Sequence, residues 1–65
     1  MKRFSIVSDK DERGQYCEAL EFMGVDRWGQ QQWEYVEGTR AFSKEETKQQ
    51  LREVRDNVTD EDIEH

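Results

Sequence analysis

Apolar residues alternate with polar ones in the segment KRFSIVS, residues 2–8, and this alternation predicts a β-strand. Phe4 and Ile6 fall on one face and Val7 on the other, because a strand directs successive side chains to opposite faces. The polar run that follows has no periodicity and ends at Gly14, so it predicts a turn.

The segment QYCEALEFM, residues 15–23, fits two elements. As a helix it has an apolar face formed by Tyr16, Ala19, Leu20 and Met23, and this periodicity favours the helix. As a strand it would pair with the first strand across the turn. Gly14 would disrupt a helix that began before it, and two apolar segments flanking a short polar turn are typical of a hairpin. Both elements remain open, and the hairpin is the interpretation adopted here.

A third strand is predicted at QWEYVE, residues 32–37, where Trp33 and Tyr35 share one face. A further short strand could follow at residues 40–42. Each aromatic side chain brings about 150–250 Å² of burial, which a small domain needs. We therefore expect Trp33 to lie in the core, together with Tyr35, Phe4, Ile6, Leu51 and Val54.

The clearest signal is a helix that begins after Ser43. In the sequence SKEE the Ser43 hydroxyl can accept a hydrogen bond from the amide of Glu46, while the Glu46 carboxylate accepts from the amide of Ser43, which is a capping box. The apolar positions that follow recur at helical spacing and form one narrow stripe, which consists of Thr47, Leu51, Val54 and Val58. Such a stripe predicts a helix of about four turns that packs one side against the sheet.

These elements predict an α+β fold, a small antiparallel sheet of about three strands with one C-terminal amphipathic helix packed on one face. Residues 1–58 are expected to form a single small domain. Residues 59–65 are expected to be an acidic, frayed tail, because Ile63 is its one apolar residue and offers too little burial to order the backbone.

The net charge of −6 belongs mostly to the C-terminal end. Six acids and one base lie between Glu53 and Glu64, whereas the rest of the chain carries ten acids and nine bases. An acidic mimic of nucleic acid requires carboxylates spread over a surface, so mimicry is kept only as an alternative. The sequence has no basic patch to contact phosphates, which argues against direct nucleic-acid binding.

No catalytic, cofactor-binding or metal-binding residues are predicted. The chain has one cysteine, Cys17, and one histidine, His65, which is its last residue. Nucleophilic catalysis requires a base held beside the nucleophile, and a zinc cluster requires more Cys and His ligands. Asp60, Asp62 and Glu64 alternate like the beginning of a calcium loop, but the glycine and the closing acid of such a loop are missing. We expect a protein that is not an enzyme and has no cofactor.

The location is predicted to be cytoplasmic. A single thiol suits a reducing compartment. No apolar run approaches the length of a signal peptide or a membrane span, so no membrane partner is expected.

The segment WEYVEGTRAFSKEETKQQL, from Trp33 to Leu51, resembles a pattern in small phage-encoded sheet-plus-helix proteins of unassigned role. In that pattern a tryptophan precedes an alanine, an aromatic residue, a serine cap, two acids and a helix, here Trp33, Ala41, Phe42, Ser43, Glu45, Glu46 and Leu51. Thr47 replaces the alanine that usually follows the acids. The resemblance implies a small sheet with one helix, a phage origin with a host cytoplasm, and a role as inhibitor or adaptor of a host protein, for instance a host enzyme.

Trp28 lies in a glycine-containing loop beside Asp26 and Arg27. It could fold back as a lid over the small core, or it could anchor a partner. Loops lie at the surface, and Trp and Arg are enriched where binding energy concentrates. Trp28, Arg27 and Asp26 are therefore the candidate partner-binding residues.

The predicted function is a non-enzymatic protein-binding module with an unidentified protein partner. One alternative is a nucleic-acid-associated protein that uses Trp28, Tyr16 and Arg27 as a stacking surface. Another is a self-associating structural subunit, for instance a homodimer, because a three-stranded sheet leaves an open face and open edges. Steep salt dependence of binding would distinguish nucleic acid from a protein partner.

Overall fold

The computed structural model describes residues 2–64. It contains one four-stranded sheet with strand order β3-β2-β1-β4 and one α-helix. The elements are β1 (Phe4–Asp11), β2 (Gly14–Val25), β3 (Gln31–Tyr35), α1 (Lys44–Val54), a short 3-10 turn (Asp60–Asp62) and β4 (Ile63–Glu64). The α+β class is confirmed. The sheet has four strands rather than about three, and it is mixed, since β4 runs parallel to β1.

β1 and β2 form an antiparallel hairpin that closes where Asp11 pairs with Gly14. The Asp11 carboxylate accepts a hydrogen bond from the amide of Arg13 at 2.8 Å. Gly14 has a φ of +117°, a backbone conformation that residues other than glycine rarely adopt. The hairpin interpretation of residues 15–23 is therefore confirmed.

The core lies between the sheet and α1. Thr47 and Leu51 are the buried residues of the helix, and the Thr47 hydroxyl donates to the carbonyl of Cys17 at 3.2 Å. The small side chains of Cys17 and Ala19 on β2 leave room for the helix to approach the sheet. The buried apolar residues are Phe4, Ile6, Cys17, Ala19, Val36, Leu51 and Ile63.

The helix begins as predicted and ends one turn early. The Ser43 hydroxyl accepts from the amide of Glu46 at 3.2 Å, but the reciprocal bond of a capping box is not among the hydrogen bonds of residues 2–64. The helix has 11 residues and ends at Val54, which is 40% exposed. Val58 lies beyond the helix and packs against the core after the chain turns at Asn57, whose φ is +58°.

Buried Thr39 fixes the connection from β3 to α1. Its hydroxyl donates to the carbonyl of Val36 at 2.7 Å and accepts from the amide of Ala19 at 3.1 Å. Immediately afterwards Ala41 pairs with Cys17 as a single antiparallel bridge. The further short strand predicted before the helix is therefore reduced to one bridge.

The segment after Val58, which we expected to fray, contributes a strand to the sheet. Ile63 is only 2% exposed and pairs in parallel with Phe4. It lies along the edge of β1 that is not paired with β2, and its side chain completes the core. Burial of this one residue therefore orders a segment whose composition is otherwise that of a solvated tail. His65 lies outside the described residues.

Polar contacts also hold the same acidic segment. They join side chains or backbone groups of this segment to one another, to the helix and to the first residues of the chain. The Thr59 amide donates to the Asp62 carboxylate at 3.1 Å, Arg52 pairs with Asp60, and Lys2 donates to the carbonyl of Glu61.

The register between β2 and β3 places Trp33 on the face opposite the core. Trp33 pairs with Phe22, and Tyr35 pairs with Leu20. Opposed residues of an antiparallel pair point to the same face, and Leu20 alternates with the core residue Ala19. The expectation that Trp33 and Tyr35 lie in the core is therefore wrong.

Candidate interaction surfaces

The loop between β2 and β3, residues 26–30, is closed by its own hydrogen bonds; we call it the Trp28 loop. One carboxylate oxygen of Asp26 accepts from the amides of Trp28 and Gln30, each at 2.9 Å. The Asp26 amide donates to the carbonyl of Gln30, and the Gly29 amide donates to the carbonyl of Asp26, each at 3.0 Å. These bonds fix the backbone on both sides of Trp28.

Trp28 projects from this loop and is 74% exposed, so it is not a lid over the core. The guanidinium carbon of Arg27 lies 4.7 Å from the centroid of the Trp28 ring. A cation–π contact of this kind contributes about 0.5–1 kcal/mol at an exposed site. The three candidate residues are thus brought together in one feature, in which Asp26 holds the loop and Arg27 lies against the exposed ring.

The sheet face opposite α1 is a second surface, which sequence reasoning missed. Phe22 and Trp33 pack edge to face there, with ring centroids 5.3 Å apart and planes at 65°. Tyr35 is 61% exposed, and no helix or strand of the described residues packs over this face. We call it the open face; it consists of Val7, Leu20, Phe22, Trp33 and Tyr35.

The sequence did contain a signal for the open face. The apolar residues of β2 occur on both of its faces, and they differ in size. The small residues Cys17 and Ala19 face the helix, whereas the large residues Leu20 and Phe22 face away from it. A helix approaches closely only over small side chains, so the size difference could have indicated which face remains open.

A charged cluster lies at the hairpin end of the same sheet. The guanidinium of Arg40 stacks on the ring of Tyr16 at 4.0 Å and lies 3.5 Å from a carboxylate oxygen of Asp11 and of Glu18. The Glu18 side chain is only 16% exposed, so its charge requires this partner. Desolvation raises the pKa of the Tyr16 phenol above its ordinary value, against the lowering effect of Arg40. Glu18 lies on the same face of β2 as Leu20 and Phe22, and its pairing with Arg40 accounts for an acid on that otherwise apolar face.

The stacking surface considered for nucleic acid is not assembled. Tyr16 is near the first residue of β2, whereas Trp28 lies in the loop beyond its last residue, Val25. A strand rises about 3.3 Å per residue, so the two ends are separated by roughly 30 Å. The two aromatic rings therefore cannot contact neighbouring bases.

No helix in residues 2–64 is long and apolar enough to cross a membrane. Comparisons of the chain with models of protein families, with curated proteins and with solved structures find no match. The function must therefore be inferred from the surfaces themselves.

Proposed function

We propose that the protein is a non-enzymatic protein-binding module whose main contact is made by Trp28 and Arg27. One observation carries the proposal. A tryptophan ring that is 74% exposed is held on a hydrogen-bonded loop, with the guanidinium of Arg27 against it. A folded chain of this size gains little by exposing a large ring that could have been buried, whereas a binding surface requires one.

The energy available from Trp28 is sufficient for an anchor. Burying an aromatic side chain removes about 150–250 Å² from water. At about 25 cal/mol per Å² this corresponds to roughly 4–6 kcal/mol before the costs of association are subtracted. Because the bonds of Asp26 already hold the loop, little conformational entropy remains to be lost on binding.

The resemblance to small phage-encoded proteins extends the proposal to the partner. On that basis the partner is a host protein, and this chain acts as its inhibitor or adaptor. Outside the acidic C-terminal segment the charges nearly cancel. Binding through an aromatic anchor should therefore depend only weakly on salt concentration.

The test compares the parent chain with Trp28→Ala as immobilised baits in a cell extract. Captured proteins are quantified by mass spectrometry, and the affinity of a purified candidate is then measured by calorimetry. Truncating a hot-spot tryptophan costs about 2 kcal/mol or more, so Trp28→Ala should weaken binding by about 30-fold. Asp26→Ala should weaken it less, because the ring remains but the loop is released.

Phe42→Ala is the matched control. Phe42 is an aromatic residue that is 79% exposed, and it precedes the helix rather than joining the Trp28 loop. Its truncation should leave the captured proteins and their affinities unchanged. The proposal fails if no captured protein depends on Trp28, or if both variants lose the same partner equally.

A further inference from the structure

β3 is an outer strand of the sheet, with one side unpaired among residues 2–64. The amide of Val36 donates to the carbonyl of Ala19 on β2. Backbone groups of successive residues point to alternate sides of a strand, so Glu34 also faces β2. The amides and carbonyls of Trp33 and Tyr35 then point outward, and no hydrogen bond of the described residues reaches them from that side.

This edge lacks most of the features that normally protect an outer strand. Such edges are blunted by proline, charged side chains and lysine above all, a bulge in the outer strand or very short length, and Glu34 is the one charged residue of β3. The chain has no proline, and β3 contains no lysine among its five residues. The register shift lies on β2, between Phe22 and Gly24, so β3 itself is regular. The other edge of the sheet, β4, has only two residues.

We propose that β3 pairs with β3 of a second copy of this chain. The two strands run antiparallel about a two-fold axis, and they join two four-stranded sheets into one continuous sheet of eight strands. The partner is a second copy because β3 can pair with β3 of another copy along all five residues without opposing like charges, in one register only.

The outward backbone groups restrict the registers of such a pair, since outward residues must oppose outward residues. With Trp33 opposite Trp33, all five residues of β3 are paired, and Glu34 lies opposite the uncharged Gln32. Sliding one copy of β3 along the other to the next allowed register in one direction places Glu34 opposite Glu34, and like charges directly opposite are destabilising. A shift in the other direction places Tyr35 opposite Gly29, which lies in the Trp28 loop and has a φ of +80°. The first register is therefore selected.

This pairing also extends the open face. Trp33 and Phe22 already form an edge-to-face pair, and the second Trp33 would lie directly beside the first. The side-chain amide of Gln31, which accepts from the Trp33 indole at 3.3 Å, would lie beside Tyr35 of the second copy. Aromatic cross-strand pairs contribute roughly 0.2–1 kcal/mol each, in addition to the backbone hydrogen bonds.

The first experiment measures molar mass by light scattering or sedimentation over a range of concentrations. We expect the mass to rise from 7.9 kDa to twice that value. Gln31→Pro removes an outward amide while leaving the bonds to β2, so it should restore the single-chain mass. Gln31→Val keeps the amide and should leave the dimer intact. The amide spectra of both variants report whether the fold is retained.

The second experiment reads the register by disulfide formation. Gln32 and Glu34 of the two copies face each other in the selected register, with Cα atoms about 4.5 Å apart, within the range that a disulfide spans. An oxidised mixture of Gln32→Cys and Glu34→Cys chains should therefore give the mixed dimer. Either variant alone should stay uncrosslinked. The parent chain, whose single thiol on Cys17 is buried, is the control.

Several results would overturn the proposal. If the parent chain keeps the molar mass of a single chain up to about 1 mM, the affinity between two copies is too weak for the proposed dimer. A dimer that survives Gln31→Pro pairs through another surface. Efficient crosslinking of Gln32→Cys or Glu34→Cys alone would mean a different register. The Trp28 loop is not part of this pairing, so Trp28→Ala should leave the dimer unchanged whether or not the proposed function holds.

Discussion

Replacing Ile63 by alanine tests whether the acidic C-terminal segment is part of the fold. Ile63 is 2% exposed and pairs with Phe4 at the side of the sheet that α1 covers. The substitution removes three buried carbon atoms, which at about 0.8 kcal/mol each amounts to roughly 2.4 kcal/mol of transfer free energy. The cavity left behind adds to this, so we expect a total loss of about 3 kcal/mol.

That loss is large for a domain of this size. At about 0.05–0.15 kcal/mol per residue, a chain of this length has a free energy of unfolding of roughly 3–10 kcal/mol. Ile63→Ala should therefore remove a large fraction of the stability. Urea denaturation followed by tryptophan fluorescence measures it, with the midpoint shifting to lower urea at an unchanged slope.

Two further variants make the outcome interpretable. Ile63→Val should cost only about 0.5–1.5 kcal/mol, so it remains measurable even if Ile63→Ala does not fold. Val25→Ala is the control, because Val25 is an aliphatic residue that is 55% exposed and should change little. Surface substitutions change the free energy of unfolding by no more than about 0.5 kcal/mol. If Ile63→Ala stays within that range of the parent, the segment does not pack against the sheet and the reasoning is refuted.

Three other substitutions test the packing. Ser43→Ala removes the acceptor of the Glu46 amide and should cost about 1 kcal/mol; a thermal melting curve that does not shift would count against the cap. Thr39→Val leaves two buried backbone groups without their partner and should cost at least about 2 kcal/mol in chemical denaturation, whereas Thr39→Ser should restore most of it. Trp33→Ala should lower the free energy of unfolding by about 1–2 kcal/mol in dilute solution, less than Ile63→Ala, because it removes one aromatic contact on the open face rather than core packing. A larger loss would mean that Trp33 belongs to the core.

Local signals in the sequence identified most of the secondary structure. Gly14 and the two apolar segments that flank the polar turn favoured the hairpin, and Ser43 with the apolar stripe that follows it predicted where the helix begins. These signals depend on neighbouring residues only. The end of the helix was missed because Val58 reaches the core from outside the helix, so the position that continued the stripe does not belong to it.

The candidate site was predicted only in part. The sequence located Trp28 in a loop beside Arg27, and the structure shows the two side chains stacked. The role of Asp26 as the acceptor that closes the loop depends on the turn geometry. The open face was not predicted at all, because Trp33 and Tyr35 were assigned to the core.

By itself the sequence determined the α+β class and the helix start, favoured the hairpin and located Trp28 in a loop, since each depends on residues close in the chain. The structure decided that Trp28 is exposed rather than folded over the core. Only the tertiary structure decided which face of β3 the helix covers and whether Ile63 is buried. A strand has two faces, and local alternation is equally consistent with either one facing the core. The choice was made by the register with β2, which places Trp33 opposite Phe22, and by the vacant position beside Phe4 that Ile63 fills.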